Sequence, residues 1–391
     1  MENSQNQYIL NITKDLNTDG KPFSIENGYF IFTLMPSLRC SLNCPHCYLS
    51  LDQRRNSPIM QISDLKIACE KVGNYYEENK VENKVIIFYW YGGEPTEMGI
   101  DYFMEATKVI NDTFTKEKGY TVKHTVLTSL LNIDKDIWFP FFRDYCDGHF
   151  QTSFDGLMRG KGYVKKWQNK VREAIDFGLT VGTISVVNEE LIKMGAKETV
   201  EYLSDLKVGE ISFLPFMWNE QNNGDKYNKY APTMEKWNDY MIEASEEYFK
   251  RKDEGIYVPE IGQLSFSMHQ EQQPLMANIA AQTLFLLPDG DFVLPDYKNG
   301  YQEYMRSFGN ILTTDFKEIL KGKERKSYLR KQVLRDGNPE CLDCEFSGEC
   351  VMEFWKQNRD GDECFGGKRY IQWLKEEVKK HKVDFSNNIV Y

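Results

Sequence analysis

Residues 29–50 read YFIFTLMPSLRCSLNCPHCYLS. The first nine form an apolar run rich in aromatic and β-branched side chains, the composition of a buried strand closed by turn residues. Cys40, Cys44 and Cys47 follow directly on an eight-residue loop, which the strand carries at its C-terminal end. Three thiolates on so short a loop can reach three irons of a cubane, and no fourth cysteine follows locally to cover the last iron. A zinc site is the alternative, with His46 completing a three-cysteine set, although the loop would have to fold back sharply to turn that ring inward.

Working outward, the same kind of strand recurs. Candidate strands lie at 29–37, 84–91, 122–129, 149–154, 179–188 and 209–217, separated by amphipathic stretches. In 62–76, for example, Ile62, Leu65, Cys69, Val72 and Tyr76 repeat at three- and four-residue steps on one helical face. Repeated βα units of this kind make an α/β protein with a parallel sheet. Six units are too few for a closed eight-stranded barrel, so the expected architecture is a partial (β/α)6 barrel with its reactive groups at the C-terminal strand ends. The alternation stops after a helix near 233–251, and the polar stretch 268–274 (MHQEQQP) reads as a connector. A hairpin around Pro288-Asp289-Gly290 then opens a smaller unit. The expected division is 1–28 as an N-terminal extension, 29–255 as the partial barrel and 256–391 as a small C-terminal iron–sulfur domain.

Charge and composition narrow the partners. With 59 acidic and 48 basic residues the formal net charge is −11, which repels nucleic acid. No apolar run reaches membrane-span length and residues 1–10 lack the blocks of a signal peptide, so a cytoplasmic protein without a membrane partner is expected. Seven of the nine cysteines fall into two tight groups, which in a reducing compartment points to metal or redox chemistry, not disulfides.

Three later strand ends and a second cysteine group complete the pattern. The second strand ends in Tyr91-Gly92-Gly93-Glu94-Pro95, where paired glycines allow a close backbone approach and Glu94 offers a carboxylate to a cation. The third ends in Thr128-Ser129-Leu130-Leu131, and the fourth in Ser153-Phe154-Asp155-Gly156 with Arg159 close behind. Cys341-x2-Cys344-x5-Cys350, followed after thirteen residues by Cys364, supplies four thiolates, the set of a fully coordinated cluster or a structural zinc.

The C-x3-C-x2-C loop after the first strand resembles the signature of the radical S-adenosylmethionine (SAM) superfamily. The resemblance implies a [4Fe–4S] cluster on Cys40, Cys44 and Cys47 whose open iron chelates SAM, and reductive cleavage to a 5′-deoxyadenosyl radical that abstracts hydrogen from substrate. It further implies that the GGEP motif (Gly92, Gly93, Glu94, Pro95) binds the methionyl ammonium and that backbone near His46 contacts adenine. Thr128 would line the pocket, though Ser129 and Leu130 depart from the usual Asn-Gly. Ser153 would approach the ribose or carboxylate of SAM, and Arg159 the carboxylate, a solvated loop arginine being its plainer reading. The C-terminal cysteines resemble the SPASM domain of peptide- and protein-modifying enzymes, which holds auxiliary [4Fe–4S] clusters. Asp296 and Phe354 stand where ligands of the first auxiliary cluster are expected, so the resemblance implies two [4Fe–4S] clusters in all, one binding SAM and one auxiliary.

The resemblance implies a peptide substrate, modified by cross-linking, epimerisation or oxidation, and an electron donor of flavodoxin or ferredoxin type. Some twenty-eight residues precede the first strand, too few for a separate leader-recognition domain. A radical SAM dehydrogenase of a small molecule is the alternative, and a non-catalytic iron–sulfur or zinc protein the alternative of another class. Formylglycine formation on sulfatases stands lower, because that subgroup carries the two-cluster arrangement. Side chains near Phe216, Trp218 and Asn219 are expected around the substrate. Cys69 and Cys146 read as packing cysteines. The run 321–331 (KGKERKSYLRK) reads as a solvated basic helix face, with docking of an acidic reductase or peptide as its minority reading.

Overall fold

The computed structural model describes residues 30–82, 84–216, 221, 223–264, 283–295, 305–333, 343–346, 364 and 367–381. Six parallel strands follow the βα alternation: β1 (Phe30–Leu34), β2 (Val85–Trp90), β3 (Thr121–Val126), β4 (His149–Ser153), β5 (Thr180–Val187) and β6 (Glu210–Pro215). A short β7 (Glu260–Ile261) adds to β6, and β8 (Thr283–Leu286), β9 (Asp291–Pro295) and β10 (Met305–Asn310) complete the strands. The helices are α1 (Leu51–Asn56), α2 (Ile62–Glu78), α3 (Ile100–Asn111), α4 (Lys135–Tyr145), α5 (Lys161–Asp176), α6 (Glu189–Met194), α7 (Ala196–Asp205), α8 (Gly224–Tyr230), α9 (Met234–Asp253), α10 (Phe316–Lys321), α11 (Lys323–Val333) and α12 (Lys368–His381). No helix of the described residues is long and apolar enough to cross a membrane.

Two sheets, ordered β10-β9-β8-β1-β2-β3 and β4-β5-β6-β7, meet through a parallel bridge between Leu127 and Gln151. The result is one open, curved α/β wall, and all six strands expected from the sequence are present. β2 (VIIFYW) shows how residue type builds it. Ile86, Phe88 and Trp90 are fully buried under the helices, Phe88 against Phe114 and Trp90 against Phe103 at 4.5 Å. The opposite face of the wall carries polar side chains. Tyr89 Oη donates to Gln151 Oε1 at 2.8 Å, and Gln151 Nε2 donates to Glu210 Oε1 at 2.8 Å.

The hairpin around Pro288-Asp289-Gly290 is present as β8–β9, antiparallel. Its first strand does not start a detached layer. β8 pairs parallel with β1, from Ile31↔Thr283 to Leu34↔Leu286, and Thr283 Oγ1 donates to the Ile31 carbonyl at 3.0 Å. β1 thereby lies between β2 and β8, and the cysteine loop leaves from the middle of its sheet. At the far end of the chain α12 packs on α9. The Tyr370 N–H donates to Asn238 Oδ1 at 3.1 Å, and Arg369 pairs with Asp239 at 2.5 Å. Cys69 and Cys146 are buried, as expected of packing cysteines, and burial pushes both thiols up.

Candidate metal and cofactor site

The cysteine loop is held by hydrogen bonds that use few of its own side chains. The Cys40 N–H donates to the Arg54 carbonyl at 3.0 Å, and the Leu38 N–H to Ser57 Oγ at 2.9 Å. Arg54 returns the contact through Nη1, donating to the Leu42 carbonyl at 2.7 Å. Arg54 is carried by α1, whose start is set by a capping box between Ser50 and Gln53. From the other side Glu97 accepts from the Ser41 N–H at 2.8 Å and from Ser41 Oγ at 2.5 Å. Arg54, Ser57 and Glu97 carry no motif signature; their spacing from the cysteines is the one sequence signal they offer.

The GGEP turn is welded to this loop. The Gly93 N–H donates to the Ser37 carbonyl at 3.3 Å and the Glu94 N–H to the Arg39 carbonyl at 2.8 Å. A Cβ on Gly93 would collide with the carbonyl oxygens of Leu38 and Arg39, and one on Gly92, at φ +123°, with that of Ser37. The protein's own chain makes the close approach that the paired glycines permit.

Glu94 is 4% exposed, and its carboxylate is oriented by four donors. Oε1 accepts from Thr96 Oγ1 at 2.6 Å, the Thr96 N–H at 3.3 Å and Thr128 Oγ1 at 2.7 Å; Oε2 accepts from the Ser129 N–H at 2.8 Å. A buried carboxylate is tolerated because these bonds replace water. Among the described residues Oε2 takes this one bond and keeps capacity for another donor. Thr128 acts on Glu94, a role the sequence reading, which set it in the pocket wall, did not assign. Pro95 begins the 3₁₀ turn Pro95–Met98 that presents Thr96 to Glu94.

Across the mouth, Asp155 is buried and accepts from the Val186 N–H at 2.8 Å. Arg159 forms a 2.5 Å ion pair with it and lies 3.4 Å from His46 Nε2. The plain reading of Arg159 as a solvated loop arginine is overturned: its side chain is 8% exposed, and the Asp155 carboxylate raises its pKa against the lowering effect of burial. Burial lowers His46 to about 4, with Asp155 opposing, so the ring is neutral. Its Nε2 lies 3.5 Å from Asp155. Ser153, half-buried at the end of β4, lies beneath Tyr163, whose hydroxyl donates to its carbonyl at 3.4 Å. Phe216 contacts the His46 ring at 6.4 Å; Trp218 and Asn219 lie outside the described residues.

All three thiols of the loop are held above the usual thiol range. Cys40 is pushed up to about 12, first by burial and then by Glu94, Cys44 and Glu97. Burial also raises Cys44 and Cys47, with Arg159 pulling both down. Thiols so desolvated ionise when a metal takes up their charge. Among the described residues no three His, Cys, Asp or Glu side chains converge on the position of a single metal ion. Of the second group, Cys344 and Cys364 are half-buried, while Cys341, Cys350, Asp296 and Phe354 lie outside the described residues.

Residues 278–345, which include Cys341 and Cys344, match the SPASM family, described as an iron–sulfur cluster-binding domain. The chain is 21% identical over 280 residues to the serine-type anaerobic sulfatase-maturating enzyme of Klebsiella aerogenes; the match takes in 66% of this chain and spans 64% of that relative's length. Among solved structures, native anSMEcpe with bound AdoMet and Kp18Cys peptide aligns with a TM-score of 0.69 at 16% identity, covering 93% of this chain and 100% of that one. Streptococcus suis SuiB bound to precursor peptide SuiA aligns with a TM-score of 0.55 at 14% identity, covering 83% and 71%.

Proposed function

We propose that this chain, whose fold is that of the radical SAM enzymes with a C-terminal SPASM region, is a cytoplasmic enzyme that cleaves SAM reductively and abstracts hydrogen from a peptide. The observation that carries the reading is the Glu94 carboxylate, buried and aimed by Thr96, Thr128 and Ser129 on a turn fused to the cysteine loop. An anion prepared at this cost, beside three thiols, suits an ammonium group held near a metal cluster.

In this reading Cys40, Cys44 and Cys47 hold a [4Fe–4S] cluster with one open iron, and Cys341, Cys344, Cys350 and Cys364 hold a second. Bound together, the first cluster and SAM would supply the radical chemistry by which hydrogen is abstracted from the substrate. The protein's own work is placement. Glu94 receives the SAM ammonium and Thr128 holds Glu94; the carbonyls of Ser37, Leu38 and Arg39, packed on Gly92 and Gly93, fix the distance from carboxylate to thiols. Arg159 and Ser153 would meet the carboxylate and ribose, with Asp155 keeping the guanidinium in place. His46 stays neutral and offers its loop backbone to adenine. Tyr91, stacked between Tyr48 and Tyr89 at 6.3 and 5.9 Å, forms an apolar wall that keeps water from a reactive carbon centre.

A peptide substrate draws support from the two structural relatives that hold peptides and from the sulfatase-maturating relative, whose class the missing first-cluster cysteines had set lower. An electron donor of flavodoxin or ferredoxin type completes the proposal. The test is anaerobic reconstitution with iron and sulfide, addition of dithionite and SAM, and chromatographic assay for 5′-deoxyadenosine. Turnover that disappears in Cys44→Ala upholds the reading; a wild-type chain that takes up zinc alone, or leaves SAM intact, refutes it.

A further inference from the structure

Two basic patches stand out on this acidic chain, and the structure separates them. Along α10 and α11 two members of the basic run and the acid between them are engaged. Arg325 is buried and donates to the Leu320 carbonyl at 3.0 Å, Glu324 pairs with Arg306 at 2.8 Å, and the Lys321 ammonium lies 5.9 Å from the Tyr75 ring. The expected solvated basic face is thus interrupted at its centre.

The other patch covers the cysteine loop. Residues 39–58 contain Arg39, Arg54 and Arg55 against the single acid Asp52, which is engaged by Asn56 at 2.6 Å. Among the described residues no carboxylate pairs with any of the three arginines; Arg39 Nε donates to the Ser57 carbonyl at 2.6 Å and Arg54 to Leu42 and Asn43. Arg39 and Arg55 are exposed, Arg39 held at the C-terminal end of α1 through the Ser57 carbonyl, and one turn before Arg55 the helix presents Leu51, an apolar side chain left 50% exposed. This surface is one hydrogen bond from Cys40, through the Arg54 carbonyl.

We infer that Arg39, Leu51 and Arg55 form the docking surface for an acidic one-electron carrier protein. The inference rests on the radical SAM reading, which requires a single electron to pass from a reduced donor to the cluster, with no bond made or broken on this chain. Electron transfer falls steeply with distance, so the donor has to meet the surface that covers the thiols. Unpaired positive charge on an otherwise negative protein steers an acidic partner to that one face, and the exposed apolar side chain of Leu51 beside it adds a dry contact.

The experiment uses the anaerobically reconstituted full chain and an acidic flavodoxin. Direct binding by calorimetry at low and high salt is the first readout, and 5′-deoxyadenosine formation driven by reduced flavodoxin, compared with dithionite, the second. Arg55→Glu and Leu51→Asp each weaken flavodoxin binding about tenfold and flatten its salt dependence, while dithionite-driven turnover is unchanged. Lys323→Glu on α11 leaves flavodoxin binding as in the wild type. Equal flavodoxin affinity in wild type and Arg55→Glu, or a loss confined to Lys323→Glu, overturns the inference. Should wild-type protein bind flavodoxin through Arg55 yet fail to cleave SAM with dithionite, the docking surface stands and the radical SAM reading fails. An acidic peptide or nucleic acid that binds in place of flavodoxin and is lost in Arg55→Glu also counts against the inference.

Discussion

At the scale of single residues, the site depends on contacts that remove freedom. Gly93→Ala sets a methyl against the Leu38 and Arg39 carbonyls. Backbone cannot yield as a flexible side chain would, so about 1–3 kcal/mol of stability is lost. Thermal unfolding reads that loss, and iron per chain falls with it. Thr128→Val keeps the shape of the side chain but deletes a hydrogen bond to a buried carboxylate, an interaction of about 1.5–3 kcal/mol. KM for SAM rises about tenfold or more while the cluster spectrum stays as in the wild type; an unchanged KM contradicts the role given to Thr128. Sequence disclosed Glu94 and the thiols because their chemistry is tied to residue type. It did not disclose what the glycines and Thr128 touch, because their partners, Ser37, Arg39 and Glu94, are met through backbone and tertiary contact.

At the scale of elements, β2 and β3 bury His124 between the neutral side chains of Trp90 and Asn111. Trp90 Nε1 donates to His124 Nδ1 at 3.2 Å, and burial lowers His124 to about 3. A histidine whose folded pKa lies below its unfolded value of about 6.5 binds its proton first in the unfolded state. Stability therefore falls as pH drops from about 6.5 toward 3 and is unaffected by this group above 6.5, with a limiting slope of about 1.4 kcal/mol per pH unit. Urea unfolding of wild type and His124→Asn between pH 7 and 5.5 measures it: the wild type has the steeper loss, and parallel curves contradict the assignment. All six βα strands were legible, since alternation such as VIIFYW is a local pattern. The pairing of β8 with β1 was not, because Ile31 and Thr283 meet across 252 residues and no local signal specifies a distant partner.

At the scale of the whole molecule, the chain closes on itself twice, by β8 beside β1 and by α12 on α9. The second closure brings the helix that follows Cys364 onto the barrel through Arg369 and Tyr370, whose hydroxyl lies 3.1 Å from Ser245 Oγ. On the proposed two-cluster reading, Cys364→Ser lowers bound iron from about eight to about four per chain and spares the cluster proposed for Cys40, Cys44 and Cys47; iron that stays at the wild-type level removes Cys364 from the ligand set. That variant also isolates the central claim, which is that one iron of the cluster on Cys40, Cys44 and Cys47 is open to SAM. Electron paramagnetic resonance of reduced Cys364→Ser protein, recorded before and after addition of SAM, tests it most directly. A cubane spectrum whose g values shift when SAM is added is the expected result. A spectrum indifferent to SAM, or a protein silent because the loop has bound zinc, would contradict it.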